Sequence, residues 1–428
     1  MHALFRARRA LQLALTTNAI RPWSGHRISI PAFVAGWLTS ELAPQLLALT
    51  AADTAAHLAR HRRASDPAGL AAAAASAGGL AALIASAHRA RGVVDTALTD
   101  ALGPDHRPAA GERAPDDVAT PWGRLAFPFR MDTRGVERER DLAYAPGGRR
   151  FLLDVYRPSE PGAGRPVLLQ VHGGAWMTGS KNEQGVPLML HMARRGWICV
   201  AINYPLSPRS RWPEHIVAAK RALAWIREHI AEYGGDPSFV VTTGGSAGGH
   251  LASLLALTPN DPAFQPGFTG SDTSVQGCVP HYGVYDFAAT SGSRTSAARM
   301  RGLLARFVMG PAPTHEDYVA ASPLDRTTDA APPFFVIHGD QDSLVPVREA
   351  RRFVDALRAV SPQPVAYAEI PGAQHAFDLF PSIRSAHVVD GVERFLEWLH
   401  RRHTGRSARP SDRRASGEAG PAAAAPPR

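Results

Sequence analysis

The chain has 428 residues, 45% of them hydrophobic and 20% charged, which excludes wholesale disorder and a single small module. Two cysteines, Cys199 and Cys278, lie in apolar runs that read as strands, so no disulfide framework is expected. The net charge of +9 does not point to nucleic acid: of 47 basic residues only Lys181 and Lys220 are lysines, and the arginines are scattered through every segment rather than gathered in a stripe with aromatics.

Residues 1–120 are alanine-rich and predict an α-helical N-terminal region. Two apolar stretches stand out, 28–50 and 69–87. Pro31, Glu41, Pro44 and Gln45 interrupt the first, and the second is mostly alanine and glycine. Arginines flank both: Arg21 and Arg27, then Arg60, Arg62 and Arg63, then Arg89 and Arg91. Two readings compete. In one the pair is a membrane hairpin, since a span needs roughly 20 apolar residues, and the flanking arginines leave the rest of the chain cytoplasmic. In the other the chain is simply cytoplasmic, with these helices packed on the main domain or in a dimer. Alanine adds little insertion energy, and Glu41 inside a bilayer would cost roughly 2–3 kcal/mol. The basic start (Arg6, Arg8, Arg9) precedes an apolar run, 11–15, that is short for a cleaved export signal.

From 121 to 400 the texture becomes β-rich runs alternating with helical periodicity. Runs at 151–156, 167–171, 197–203, 239–243, 334–338 and 365–370 are apolar and bounded by Gly or Pro. Several are continuously hydrophobic, as strands covered on both faces of a parallel sheet are. Between them, Ile216, Ala219, Leu223, Ile226, Ile230 and Tyr233 form a helical stripe that stops at Gly234 and Gly235. A last helix carries Val388, Val392, Phe395 and Leu399. The alternation predicts a doubly wound α/β domain with a mostly parallel sheet. Residues 401–428 hold Arg, Ser, Pro and Ala without periodicity and read as a solvated, disordered tail.

Chemistry concentrates in three places. Gly244-Gly245-Ser246-Ala247-Gly248-Gly249 follows a strand and opens a helix, the setting a G-x-S-x-G nucleophile turn requires. Small neighbours let the backbone adopt rare angles, and the helix N-terminus aims unpaired N–H groups at whatever Ser246 attacks. His172-Gly173-Gly174-Ala175-Trp176 follows the strand at 167–171, so the amides of Gly173 and Gly174, with that of Ala247, are candidate oxyanion donors. Downstream strands end at Asp340 and Asp342 and at His375. Asp342 is the expected acid, with Asp340 the alternative, and His375 the expected base, in the chain order Ser, Asp, His. His172, His338, His250 and His281 read as structural. No cluster has metal-ligand spacing, so neither metal nor cofactor is expected.

These motifs, with Asn203-Tyr204-Pro205-Leu206-Ser207-Pro208, resemble the α/β-hydrolase superfamily. The likeness is to its hormone-sensitive-lipase-like and feruloyl-esterase-like carboxylesterase branch, and covers about residues 140–400. The resemblance implies a triad of Ser246, Asp342 and His375, an oxyanion hole at Gly173, Gly174 and Ala247, and hydrolysis of a small-molecule carboxylic ester through an acyl-enzyme. An amidase or formamidase using the same triad is the alternative. It also implies a lid insertion at about 287–332, where Met300 and Phe307, together with Trp176, would line the substrate pocket. Ala175 stands where lipase-like members often carry a third glycine, and residues 1–120 match no known cap. Acyl length, alcohol and oligomeric state are left open.

Overall fold

The computed structural model describes residues 2–23, 29–60, 66–106, 122–288, 302 and 304–407. Eight strands form one sheet in the order β1-β2-β4-β3-β5-β6-β7-β8. They are β1 (Val136–Ala143), β2 (Leu152–Pro158), β3 (Arg165–Val171), β4 (Ile198–Ile202), β5 (Gly235–Gly245), β6 (Gly277–His281), β7 (Phe334–Gly339) and β8 (Val365–Ile370). β2 pairs antiparallel with β1 and β4, and every other pairing is parallel. The doubly wound, mostly parallel sheet is as expected.

Period-two alternation explains how continuous apolar runs serve two cores. Val167, Leu169, Val171, Val200, Phe334 and Val336 face one core, shared with helices α7 (Glu214–His229), α8 (Ala247–Leu257) and α10 (Val347–Val360). Leu168, Cys199, Ala201, Phe335 and Ile337 face the other, shared with α6 (Val186–Arg194) and α11 (Ile383–Ser407). Both cysteines are buried and free, as read. The helical stripe at 216–233 is α7 followed by a 3₁₀ turn, Ile230–Tyr233, closed by Gly234 in the left-handed region. Residues 401–407, expected to belong to the tail, continue α11, where His400 and His403 pack on Phe239. Residues 408–428 lie outside the described residues.

The N-terminal region is helical: α1 (His2–Ile20), α2 (Ser29–Glu41), α3 (Ala43–Arg60) and α4 (Pro67–Leu102). Asp66 caps α4, its carboxylate accepting Gly69 N–H at 3.1 Å and Arg6 Nε at 2.7 Å. Asp53 ties α1 to α3 through Arg8 and Arg9. The first apolar stretch is not one straight span, because α2 and α3 meet at 80°. Glu41, at that corner, is buried and ion-paired with the fully buried Arg384 of α11, so the corner is fixed to the α/β domain. α4 is the one described helix long and apolar enough by itself to cross a membrane. Its C-terminal half instead enters the second core through Ala90, Val94 and Leu98, each such Val or Leu contributing about 1.5–3 kcal/mol of burial. A side chain at Gly391 would collide with Val94, so that glycine sets how closely α4 crosses α11. In the structure α2 and the C-terminal half of α4 pack on the α/β domain.

One buried carboxyl makes stability pH-dependent. Burial pushes Glu349, at the start of α10, up to about 7, and the Asp286 carboxylate adds to the effect. Between the ordinary glutamate value near ~4.3 and 7, the folded chain keeps a proton that the unfolded chain has lost, so stability falls as pH rises through that window. Glu349→Gln is expected to raise Tm relative to the parent at pH 8 and to leave it nearly unchanged at pH 5. An increment equal at both pH values in thermal unfolding would contradict this.

Candidate active site

The glycines around Ser246 are explained by contact distances. A Cβ at Gly244 or Gly248 would collide with the Val171 carbonyl, so strand β3 and the turn can only approach this closely with glycine at both sites. Ser246 itself sits at φ 58°, ψ −122°, a conformation costing about 1–3 kcal/mol that the surrounding structure must hold. Its N–H donates to His281 O at 3.0 Å, and its half-buried side chain caps nothing at the start of α8.

The loops after β7 and β8 interlock. Gln374 Oε1 accepts the N–H groups of Ser343 and His375, each at 3.0 Å. Asp342 receives His375 Nδ1 at 2.6 Å, with Leu344 N–H at 2.9 Å and Val345 N–H at 2.8 Å on its other oxygen. Burial alone would raise its carboxyl. The His375 charge and the hydrogen bonds from His338 and His375 outweigh that, holding it well below the usual carboxylate range. An ionised carboxylate only accepts, so His375 carries its proton on Nδ1 and leaves Nε2 as the basic lone pair. Asp340, the alternative acid, accepts Gly372 N–H at 2.7 Å and so shapes the loop that carries His375. Tyr282 joins the two halves: its ring lies 4.7 Å from that of His375, and it fills the space where a Gly245 side chain would be, one residue before Ser246.

The turn after β3 corrects one expectation. Gly173 N–H donates to Gln184 Oε1 at 2.6 Å, so that donor is taken by a side chain no motif announced. Gly174 (φ 110°) and Ala175 (φ 53°) are the more open members of the turn, both with positive φ. Trp176 is 2% exposed; its indole N–H donates to His250 at 3.3 Å and its ring packs edge-on against Phe287. The expected pocket residue thus supports the turn from beneath. Phe307 is half-buried against the first core, and Met300 lies outside the described residues.

His172, His250, His281 and His338, expected to be structural, are all buried. Burial lowers His172 and His215 to about 4 and His250 to about 3, so these imidazoles are neutral at physiological pH. His172 stacks on Tyr204 at 4.3 Å, and His338 Nε2 donates to Val345 O at 2.9 Å. Among the described residues one cluster has metal-ligating side chains together, His2, His57 and Asp66, with atoms within 4.8 Å. It lies between α1, α3 and the start of α4, and its carboxylate already serves Arg6 and Gly69.

The helical layer reaches the site. Phe33 of α2 packs edge-on against the His375 ring at 5.9 Å. Arg384, paired with Glu41, donates through Nε to Pro371 O at 3.1 Å and so steadies the His375 loop. Neither contact has a local signature, because the partners lie about 340 residues apart in sequence.

A family model described as BD-FAE matches residues 153–357. The chain is 46% identical to the probable carboxylic ester hydrolase LipM of Mycobacterium tuberculosis, over 97% of this chain and 96% of that protein. The chain belongs to the carboxylic ester hydrolases of the α/β-hydrolase superfamily. This hydrolase is also 46% identical to the esterase LipQ of the same organism, over 75% of the chain and 77% of that protein. Among solved structures it is similar to an esterase B from Lactobacillus rhamnosis (TM-score 0.54, 20% identity), which covers 67% of this chain and 92% of the other. The propionate-bound esterase 2 of Thermogutta terrifontis gives a TM-score of 0.51 at 24% identity, over 63% and 95%. These two likenesses speak for the fold. The LipM match spans the helical layer as well as the α/β domain of this hydrolase.

Proposed function

We propose that the hydrolase cleaves small-molecule carboxylic esters through an acyl-enzyme on Ser246. His375 Nε2 takes the hydroxyl proton, Ser246 attacks the ester carbonyl, and Asp342 stabilises the imidazolium that forms. The tetrahedral oxyanion rests on the N–H groups of Ala247, at the positive end of α8, and of Gly174 and Ala175. His375 then gives the proton to the departing alcohol, and a water, activated by the same imidazole, releases the acid. The reading is carried by the 2.6 Å pairing of Asp342 with His375 Nδ1, in a loop that Tyr282 holds beside a serine at positive φ.

The same apparatus would serve an amidase or formamidase; the relatives named as esterases favour the ester. The test is two-part. A fluorophosphonate probe is expected to label one serine, Ser246, and kcat/KM is expected to be larger for an aryl ester than for its matched amide. Labelling elsewhere would remove the mechanism, and amide turnover above ester turnover would reassign the substrate.

A further inference from the structure

Apolar exposure is unevenly spread over this hydrolase. Of the twelve large hydrophobic side chains exposed among the described residues, eleven lie within residues 1–129, so the feature belongs to the helical layer and the segment that follows it. Six of them sit in two short pieces: Trp23, Ile30 and Val34, around the start of α2, and Trp122, Phe127 and Phe129. Soluble monomers rarely leave this much aromatic surface open without a use for it.

The two pieces meet through a row of rings. From His375 the row runs to Phe33 at 5.9 Å, then Trp37 at 6.1 Å, Phe380 at 5.6 Å and Phe129 at 5.0 Å. Phe129 is 67% exposed, so one end of the row is solvent and the other is the candidate base. Trp122, Phe127, Arg130 and Met131 line a surface hollow beside it. Trp23 is tethered to α2 through Asn18, which accepts Trp23 N–H and donates to Ala32 O.

Among the described residues the hollow is lined by Arg130 and Arg134 and one carboxylate, Asp132. Arg21 and Arg130 are exposed without an acidic partner among the described residues, while the nearby Asp132 carboxylate is already bonded by Arg134. Further along, α4 carries no charge from Pro67 to Ala87, and only 28% of its most apolar window is buried. Tryptophan and phenylalanine beside unpaired arginines match the headgroup zone of an anionic bilayer, where rings sit at the apolar boundary and guanidinium groups meet phosphate. A protein partner would instead call for exposed acceptors or acidic groups to satisfy those arginines.

We infer that this face docks on an anionic lipid surface and that the aromatic row admits a lipophilic ester from that surface to Ser246. The inference rests on the ester-hydrolase reading and adds the substrate class, an ester with an extended apolar chain. It differs from a membrane hairpin, because Glu41 and the C-terminal half of α4 are fixed in the hydrolase domain.

The test uses the full chain and vesicles of phosphatidylcholine alone or with one quarter phosphatidylglycerol. The wild type is expected to float with the anionic vesicles and more weakly with the neutral ones. Ile30→Ser/Trp122→Ser/Phe127→Ser, all at exposed positions, is expected to lose at least about tenfold in partitioning, with an unchanged circular dichroism spectrum and Tm. Its hydrolysis of a long-chain ester held in the vesicles should fall by a similar factor. A wild type left in the aqueous fraction by both vesicle types, or a triple variant that floats equally well, would overturn the inference. So would a variant that dissociates a dimer in vesicle-free buffer while still floating, since the face would then join two copies of the chain. Wild-type turnover of a soluble short-chain ester reports on Ser246 separately, so loss of the site and loss of the docking face are distinguishable.

Discussion

Ser246→Ala is expected to lower kcat for soluble aryl esters by roughly a millionfold, the loss seen when a triad nucleophile is removed. The fold should be untouched. The hydroxyl caps no helix N–H, alanine can occupy the same φ 58° position at similar cost, and the neighbouring glycines are unchanged. The measurement is a single-turnover assay beside a thermal melt. Activity within tenfold of the parent would mean that another group attacks the ester, and the proposed chemistry would have to be abandoned.

The second large effect is expected at Asp342. Asp342→Asn keeps an oxygen to accept Leu344 and Val345 N–H, so the loop should persist. It removes the charge that holds the His375 proton on Nδ1. An amide can present its NH₂ to that nitrogen and select the wrong tautomer, which puts a proton where the lone pair is needed. A loss in kcat of roughly ten-thousandfold follows, with KM little changed. Asp340→Asn is the matched control, because an amide oxygen can still accept Gly372 N–H. The idea fails if Asp342→Asn stays within tenfold of the parent, or if Asp340→Asn is the more damaging of the two.

Much of the hydrolase domain was legible because its cues are local. The runs at 167–171 and 334–338 are β-branched, apolar and bounded by turns, and each lies within the observed strand. β1 was not visible, since its sequence, Val-Glu-Arg-Glu-Arg-Asp-Leu-Ala, is that of a charged edge strand without an apolar run. The order of Ser246, Asp342 and His375 could be read, because each sits in a turn that ends a strand. Asp342 was the expected acid over Asp340, and it is Asp342 that meets the imidazole, although two carboxylates two residues apart in one turn differ only in direction.

The oxyanion turn divides along the same line. His172 to Trp176 marks where the donors are, but Gln184 decides which amide is already bonded, and its contact with Gly173 depends on how the loop before α6 folds back. The N-terminal layer shows this most clearly. Sequence alone pointed to an apolar helical N-terminal region, which the structure describes in four helices up to Leu102, and to three distant turns carrying a serine, an aspartate and a histidine, because propensity, periodicity and turn chemistry act over a few residues. Only the tertiary structure decided that Glu41 meets Arg384, that Phe33 touches His375 and that exposed rings gather beside the site. Those pairings join residues hundreds of positions apart, and only the packing of whole helices on the sheet brings them together.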